Sequence, residues 1–348
     1  GNNISASQVN SQFPVLNDNF AGNSAYICSI PAVFLPLKAN TKIKWCPATM
    51  DPNGNILAEP GIERLNTRVI GLPTPFPGGG ATTNQWRRAY IEDTLKPATI
   101  WNPKFYCNIW IIPGFIPTST GTVLAYASFP TLTTLDGLGA GTGFDYNDGV
   151  VCGRQWFGTT GATAPYNHGG TVTHELGHWL GLRHIWGDDS CGTDYAADTP
   201  TQETSNSGSP TFPHVTCNNG PNGDMFMNYM DYTNDNVYNM FTLNQKDRMW
   251  TAMNSGQFRV PLKTSPTCSG VIPPPVADFT DSSKTQVLCT SKTIRFKDKS
   301  LFAVTSPASA TYTWSFPGGS PSNGTGKFVD VTYTTGGLKS VSLTITNS

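Results

Sequence analysis

Charge is scarce in this chain of 348 residues: Asp, Glu, Lys and Arg make up 13% of it, and the formal net charge is −1. Without a basic excess there is no electrostatic footprint for nucleic acid. No apolar run approaches the roughly eighteen residues that a membrane-crossing helix needs, and the first residues lack a signal-peptide pattern. A soluble, mature chain with no membrane span is therefore expected. The eight cysteines include no Cys-x-x-Cys pair, which argues against a zinc ribbon and a thioredoxin-like redox motif. Their number fits an oxidising, extracellular setting instead. Cys107 and Cys152 stand inside apolar runs, where a bridge and a buried thiol are both open. Histidine is scarce too, with five in all.

Three of those five stand in one string, His174-Glu-Leu-Gly-His178-Trp-Leu-Gly181-Leu-Arg-His184. On an α-helix His174 and His178 lie one turn apart on the same face, so both imidazoles can bind one ion. Glu175, one residue off that face, can reach a water on the metal and is placed as a general base. Gly181 can adopt φ > 0, end the helix and bend the chain back, which makes His184 available as the third ligand. Three protein ligands on zinc leave the fourth position to water, whose pKa the ion lowers from about 15.7 to about 7. That is chemistry suited to peptide-bond hydrolysis. His168 precedes the string and is assigned to a polar loop.

This motif, together with Asp224-Met-Phe-Met-Asn-Tyr-Met230-Asp-Tyr232 downstream, resembles the metzincin zinc metallopeptidases, and within them the pappalysin/ulilysin family. The resemblance implies an α/β (α+β) catalytic domain with a twisted mixed sheet and an active-site helix. It also implies that Met230 is the turn methionine beneath the metal and that Tyr232 leans toward the metal, where it can stabilise an oxyanion. The acidic loop after the motif, Gly187 to Gln202, would bind calcium through Asp189, Asp194 and the carbonyls near Ala197 and Thr199. Cys191 would pair with Cys217. Relatives place an aspartate at the floor of the pocket receiving the residue after the scissile bond. Here that position falls on Asp235, giving a preference for arginine, or on Asn236, which removes the charge and relaxes it. Many relatives carry arginine where this chain has Gly170.

Apolar spacing predicts a first helix over 4–20, capped by Ser5 or Ser7 and bent or restarted at Pro14, where an interior proline costs about 3 kcal/mol. In the family pattern a strand precedes this helix, so a strand from outside the sequence is expected to complete the sheet. Alternation predicts a strand over 41–46. The nearly all-apolar 104–112 segment suits a central strand; 122–128 is more mixed, and the resemblance implies that a strand here forms the sheet edge above the cleft, able to pair with an extended peptide; 148–152 suits a further strand. The motif helix is placed over 169–180. Asn239 to Trp250 resembles the family's closing helix, with Thr242 as cap. The peptidase domain is thus expected over 1–263, followed by a stiff proline-rich linker over 264–276.

Short alternating strands with turn residues between them predict an all-β immunoglobulin-like sandwich over 277–348. Trp314-Ser-Phe-Pro-Gly-Gly resembles the polycystic-kidney-disease-type (PKD) module, which implies binding to a surface, matrix or protein partner. The reading as a whole is a secreted zinc endopeptidase acting on protein or peptide substrates. Two alternatives stand beside it: a thermolysin-like site with Asp198 as third ligand, and an adhesion or matrix-binding protein with a structural metal.

Overall fold

The strand that organises the first half of the molecule is short. β3 (Val150–Gly153) lies between β1 (Ile109–Ile112), to which it is parallel, and β2 (Ala125–Ala127), to which it is antiparallel. Successive side chains of a strand face opposite ways, and both faces of β3 are covered. Val150 and Cys152 enter one apolar cluster with α1 (Ala6–Ala21), α4 (Gly170–Trp179) and α5 (Leu243–Ser255). Val151 enters another, with Ile91 and Leu95 from the helical stretch made of α2 (Arg88–Tyr90), a π turn (Ile91–Leu95) and α3 (Lys96–Thr99). Among the described strands β3 is therefore central, and the 104–112 segment expected there is at the edge. Only its last four residues form β1. β2 is the opposite edge.

This computed structural model describes residues 3–25, 29–73, 86–115, 122–282, 291–305 and 309–347. The expected strand upstream of Gly1 lies outside them.

α1 runs unbroken through Pro14, which sits on the exposed face. Ser5 caps it by accepting from Gln8 N at 3.1 Å. Its buried face is polar at the positions that meet α4. Gln12 Nε2 donates to Gly169 O (3.1 Å), and Asn19 Nδ2 donates to Thr173 Oγ1 (2.9 Å). The first helix thereby fixes where α4 begins. The expected strand over 41–46 is not formed: among the described residues the segment pairs with no strand, although its burial alternates. The side chain of Asn17 takes the place of a partner strand, accepting from Trp45 N (2.8 Å) and donating to Trp45 O (2.9 Å). α5 begins at the expected cap, where Thr242 and Gln245 exchange side-chain-to-backbone bonds in a capping box.

The chain divides into two units, Gly1–Pro47 with Ile62–Ser265, and Ala48–Gly61 with Pro266–Ser348. The expected contiguous division is amended in two respects. Residues 48–61 belong with the second unit, and 266–276 are not a free linker. Thr267 is buried, and its carbonyl accepts from both Thr49 N (2.7 Å) and Thr49 Oγ1 (2.8 Å).

In the second unit β6 (Phe279–Asp281), β7 (Lys292–Asp298), β11 (Phe328–Tyr333) and β9 (Gly319–Ser320) form one antiparallel sheet. β10 (Asn323–Thr325), β8 (Thr311–Ser315) and β12 (Ser342–Thr346) form a second. Both sheets bury one face in a common cluster around Phe296, Trp314, Phe316 and Tyr333. In the first unit β4 (Ser207–Gly208) and β5 (Tyr232–Thr233) make a short parallel pair.

Cys46 and Cys268 are each disulfide-bonded, and Cys191 is bonded to Cys217. Cys107 and Cys152 are free thiols. Cys28 and Cys289 lie outside the described residues.

Candidate active site

α4 ends where the sequence said it should, and the ending delivers the third histidine. Gly181 adopts φ +92°; Leu182 N bonds back to Gly177 O (2.9 Å) and Gly181 N to His178 O (2.8 Å), which is a Schellman motif. The chain then returns, and the ligating atoms of His174, His178 and His184 all lie within 4.8 Å of one another. Met230 is fully buried under α4, with its sulfur beside Gly177. Its carbonyl accepts from Ile185 N at 3.2 Å, so the methionine turn supports the returning chain as well as the helix.

Each imidazole is held through Nδ1. His174 Nδ1 donates to Tyr229 O (2.6 Å), His178 Nδ1 to Leu182 O (2.8 Å), and His184 Nδ1 to the carboxylate of Asp188. All three partners accept only, so the proton is on Nδ1 and the lone pair on Nε2. Burial reinforces the neutral form, pushing His174 down to about 3 and His178 well below its usual range. His178 Nε2 and His184 Nε2 are then two lone pairs 3.0 Å apart. Such an approach is unfavourable unless a cation lies between them, and tetrahedral zinc with bonds of about 2.0–2.1 Å would hold two nitrogens roughly 3.3 Å apart. The donor set fits that ion.

Glu175 is buried, and its Oε2 has no hydrogen-bond partner among the described residues. Burial raises its pKa to about 8, against the opposing charge of Arg88; a cation beside it would bring the value back down. Tyr232 directs its hydroxyl at His184 Nε2 from 2.9 Å. Burial raises its pKa, so the hydroxyl remains a donor.

The other expected site residues are distributed as follows. Asp198 accepts from Thr242 Oγ1 (2.6 Å) and Asn244 N (2.9 Å), and so caps α5; it is not in the histidine cluster, which removes the thermolysin-like arrangement. His168 is likewise outside the cluster. Asp194 is buried and accepts from Ala196 N (3.0 Å) and Thr199 Oγ1 (2.9 Å), while Asp189 is exposed and accepts from Ser190 N (2.8 Å). Ala197 N donates to Asn244 Oδ1 at 3.1 Å. Burial pushes Asp194 up to about 6.

Asp235 is turned inward to the start of α4, where its Oδ2 accepts from His168 N (2.7 Å) and Gly170 N (3.1 Å). It serves as the cap that Gly169 cannot supply. A β-carbon at position 170, where many relatives carry arginine, would lie 2.5 Å from Asp235 Oδ1 and 2.8 Å from Tyr238 Cδ2, so a side chain there would require these neighbours to shift. Asn236 is exposed.

Sequence reasoning passed over Asp188, although a carboxylate four residues after the last histidine was there to be weighed. It also passed over Asp224 and Asp231, both buried. Asp231 accepts from Asn206 N (2.7 Å) and Gln202 Nε2 (3.0 Å) and ties the methionine turn to the loop closed by Cys191 and Cys217.

The profile of the peptidase M43 family, described as pregnancy-associated plasma protein-A, matches residues 91–254, a span that contains the histidine string and the methionine turn. An extracellular metalloprotease of Colletotrichum graminicola is 30% identical over 253 residues, which cover 69% of this chain and 84% of that protein. The solved structure of mirolysin in complex with compound 9 is similar with a TM-score of 0.60 and 36% identity, covering 75% of this chain and 90% of that one. Mature mirolysin of Tannerella forsythia in complex with a cleaved peptide gives 0.57 and 34% over the same shares. The chain is a metalloendopeptidase belonging to the peptidase M43, or pappalysin, family, which implies a catalytic zinc.

Proposed function

We propose that His174, His178 and His184 hold that zinc and that Glu175 is the proton carrier of a secreted endopeptidase acting on proteins and peptides. The observations that carry this reading are the three converging histidine nitrogens and, on the residue next to His174, a buried Glu175 oxygen with no partner among the described residues. Bound zinc supplies a Lewis acid and lowers the pKa of water. Glu175 accepts the proton as water attacks the scissile carbonyl and then delivers it to the leaving amine. Tyr232, a neutral donor at the open side of the cluster, hydrogen-bonds to the developing oxyanion. The exposed edge of β2 can pair with the backbone of an extended substrate.

Three further assignments belong to this proposal. Calcium binds the loop from Asp189 to Thr199 with Asp194 as its buried carboxylate, and a chelator that spares zinc lowers the melting temperature. Asp235 supplies the negative charge beneath the pocket after the scissile bond, since Asn236 faces solvent. The second unit is an immunoglobulin-like module of PKD type that binds a surface, matrix or protein partner; the shared core of its two sheets supports the sandwich in this reading.

The central test is Glu175→Ala. It should retain one zinc per chain and lose about 10²–10⁴-fold in peptide hydrolysis. Near wild-type turnover in that variant would remove Glu175 from the mechanism.

A further inference from the structure

The three histidines are not held alike. His174 and His178 stand on α4, are buried, and donate Nδ1–H to the backbone carbonyls of Tyr229 and Leu182, which no side-chain substitution removes. His184 stands beyond the helix and is partly exposed, and its Nδ1 partner is a side chain, the carboxylate of Asp188. The arrangement is built rather than incidental. Asp188 adopts φ +61°, a left-handed conformation that few residues other than glycine accept. Arg183 Nη2 donates to Gly187 O at 2.8 Å and to Asp188 Oδ2 at 3.3 Å, holding the turn and the carboxylate together. Gly187 N closes back onto His184 O at 2.9 Å. On its far face the His184 ring is stacked on Trp186, with centroids 4.4 Å apart and planes 4° apart.

We propose that Asp188 is a positioning residue for His184, and that its carboxylate, held by Arg183, sets how long the zinc is retained. The proposal rests on the reading of the three histidines as zinc ligands. A ligating imidazole whose other nitrogen donates to a carboxylate has its ring orientation fixed and its donor nitrogen made more basic. A charge-assisted bond does this more strongly than a neutral one. His184 is thus the ligand whose hold on the ion depends on a removable group. It is also partly exposed, at 17% of its side chain, and the carboxylate that holds it lines an open cleft together with Trp186 and Glu203.

The test uses the full-length, zinc-loaded protein and measures transfer of zinc to an excess of a chromogenic chelator. Asp188→Asn removes the charge and keeps the shape. Asp188→Gly removes the carboxylate and accepts φ > 0 without strain. Both should release zinc about 10–100-fold faster than wild type. Glu203→Gln, an equal loss of charge on the same cleft at a residue outside the histidine cluster, should release it at the wild-type rate. With cobalt(II) in place of zinc, the visible spectrum should change in both Asp188 variants and stay unchanged in Glu203→Gln, a difference that a loss of loop stability alone would not produce. Wild-type release from the glycine variant would mean that the backbone path alone positions His184, and would overturn the proposal. So would equal acceleration by Glu203→Gln. A wild-type protein that takes up no stoichiometric zinc, or keeps it after His174→Ala, would instead bring down the reading of the site itself, and this inference with it.

Discussion

The two units treat buried polarity in opposite ways. In the first, ionisable side chains are taken inside: Asp148 and Arg259 are 0% and 1% exposed, and His174, Glu175, His178, Asp224, Asp231 and Asp235 are all buried. In the second, the buried polar side chains among the described residues are Thr267 and Ser300, and the Arg295–Asp330 pair lies on the surface. Burying a charge is costly unless it is paired and hydrogen-bonded. The first unit accepts that cost where a backbone or a side chain must be held in one place; the second is held by an apolar core. The contrast predicts where single substitutions will matter.

The largest effect is expected at Arg259. Its Nη1 and Nη2 bind the two oxygens of Asp148, each at 2.8 Å, and its Nε donates to Trp179 O at 2.9 Å. The guanidinium also lies 3.5 Å from the centroid of the Trp179 ring. This one side chain joins the start of β3 to the last turn of α4, just before the bend that returns His184. Arg259→Met leaves Asp148 buried without its charged partner, with Ser128 Oγ and Trp179 Nε1 as its remaining side-chain donors, and should destabilise by about 3–5 kcal/mol. Urea denaturation with zinc release as the probe measures it. A change under about 1 kcal/mol would mean that the first unit does not depend on its buried charges.

Gly181→Ala comes next. The residue must hold φ +92°, and its β-carbon would lie 2.5 Å from Leu135 Cδ1. The left-handed conformation alone costs about 1–2 kcal/mol, and relief of the contact moves the bend that carries His184. Weaker zinc binding than wild type is expected by competition with a chelator. Unchanged affinity would show that the bend tolerates a side chain.

Gly181 was legible in the sequence because helix capping is local, and so were the bounds of α4 and the Thr242 cap: a few adjacent residues decide each. What was not legible depends on partners distant in the chain. The 41–46 segment has the alternation of a strand, but Asn17 takes both backbone bonds of Trp45 and Phe20 O accepts from Thr41 N, and nothing in the segment announces that. β3 is central because helical segments cover both its faces, whereas its four residues look less apolar in context than the longer 104–112 run. The pairing of Asp148 with Arg259 spans 111 positions. Asp188 is within reach of local reasoning, standing four residues beyond His184, but its neighbours in the acidic loop suit calcium equally well in the sequence alone.

Asp235 sharpens the comparison, since it combines a structural duty with a proposed selective one. Burial raises its pKa, two backbone N–H groups hold Oδ2, and Oδ1 has no partner among the described residues. If that oxygen serves substrate, peptides with arginine after the scissile bond should be cleaved roughly tenfold or more faster than those with leucine, from about 1.5–3 kcal/mol for a charge-assisted bond. Asp235→Asn should erase the difference while leaving cleavage before leucine near its original rate. Equal cleavage before Arg and Leu by the unmodified protein would confine Asp235 to capping α4.

The smallest effect is expected at the pair that looks strongest on the second unit. Arg295 on β7 and Asp330 on β11 are directly opposite in the sheet, and Arg295 Nε and Nη2 reach Asp330 Oδ1 and Oδ2 at 2.7 and 2.6 Å. The geometry is bidentate, as for Arg259 and Asp148, but the side chains are 57% and 44% exposed. Water solvates both charges before and after the pair breaks, two long side chains lose freedom to form it, and salt screens what remains. A double-mutant cycle with Arg295→Ala and Asp330→Ala should therefore give a coupling close to the error of the measurement, falling further as salt is raised. Two bidentate pairs of similar bond length would then yield very different couplings, with burial as the main variable that separates them. A coupling at Arg295–Asp330 as large as that at Arg259–Asp148, and insensitive to salt, would break the comparison and return the weight of the argument to geometry.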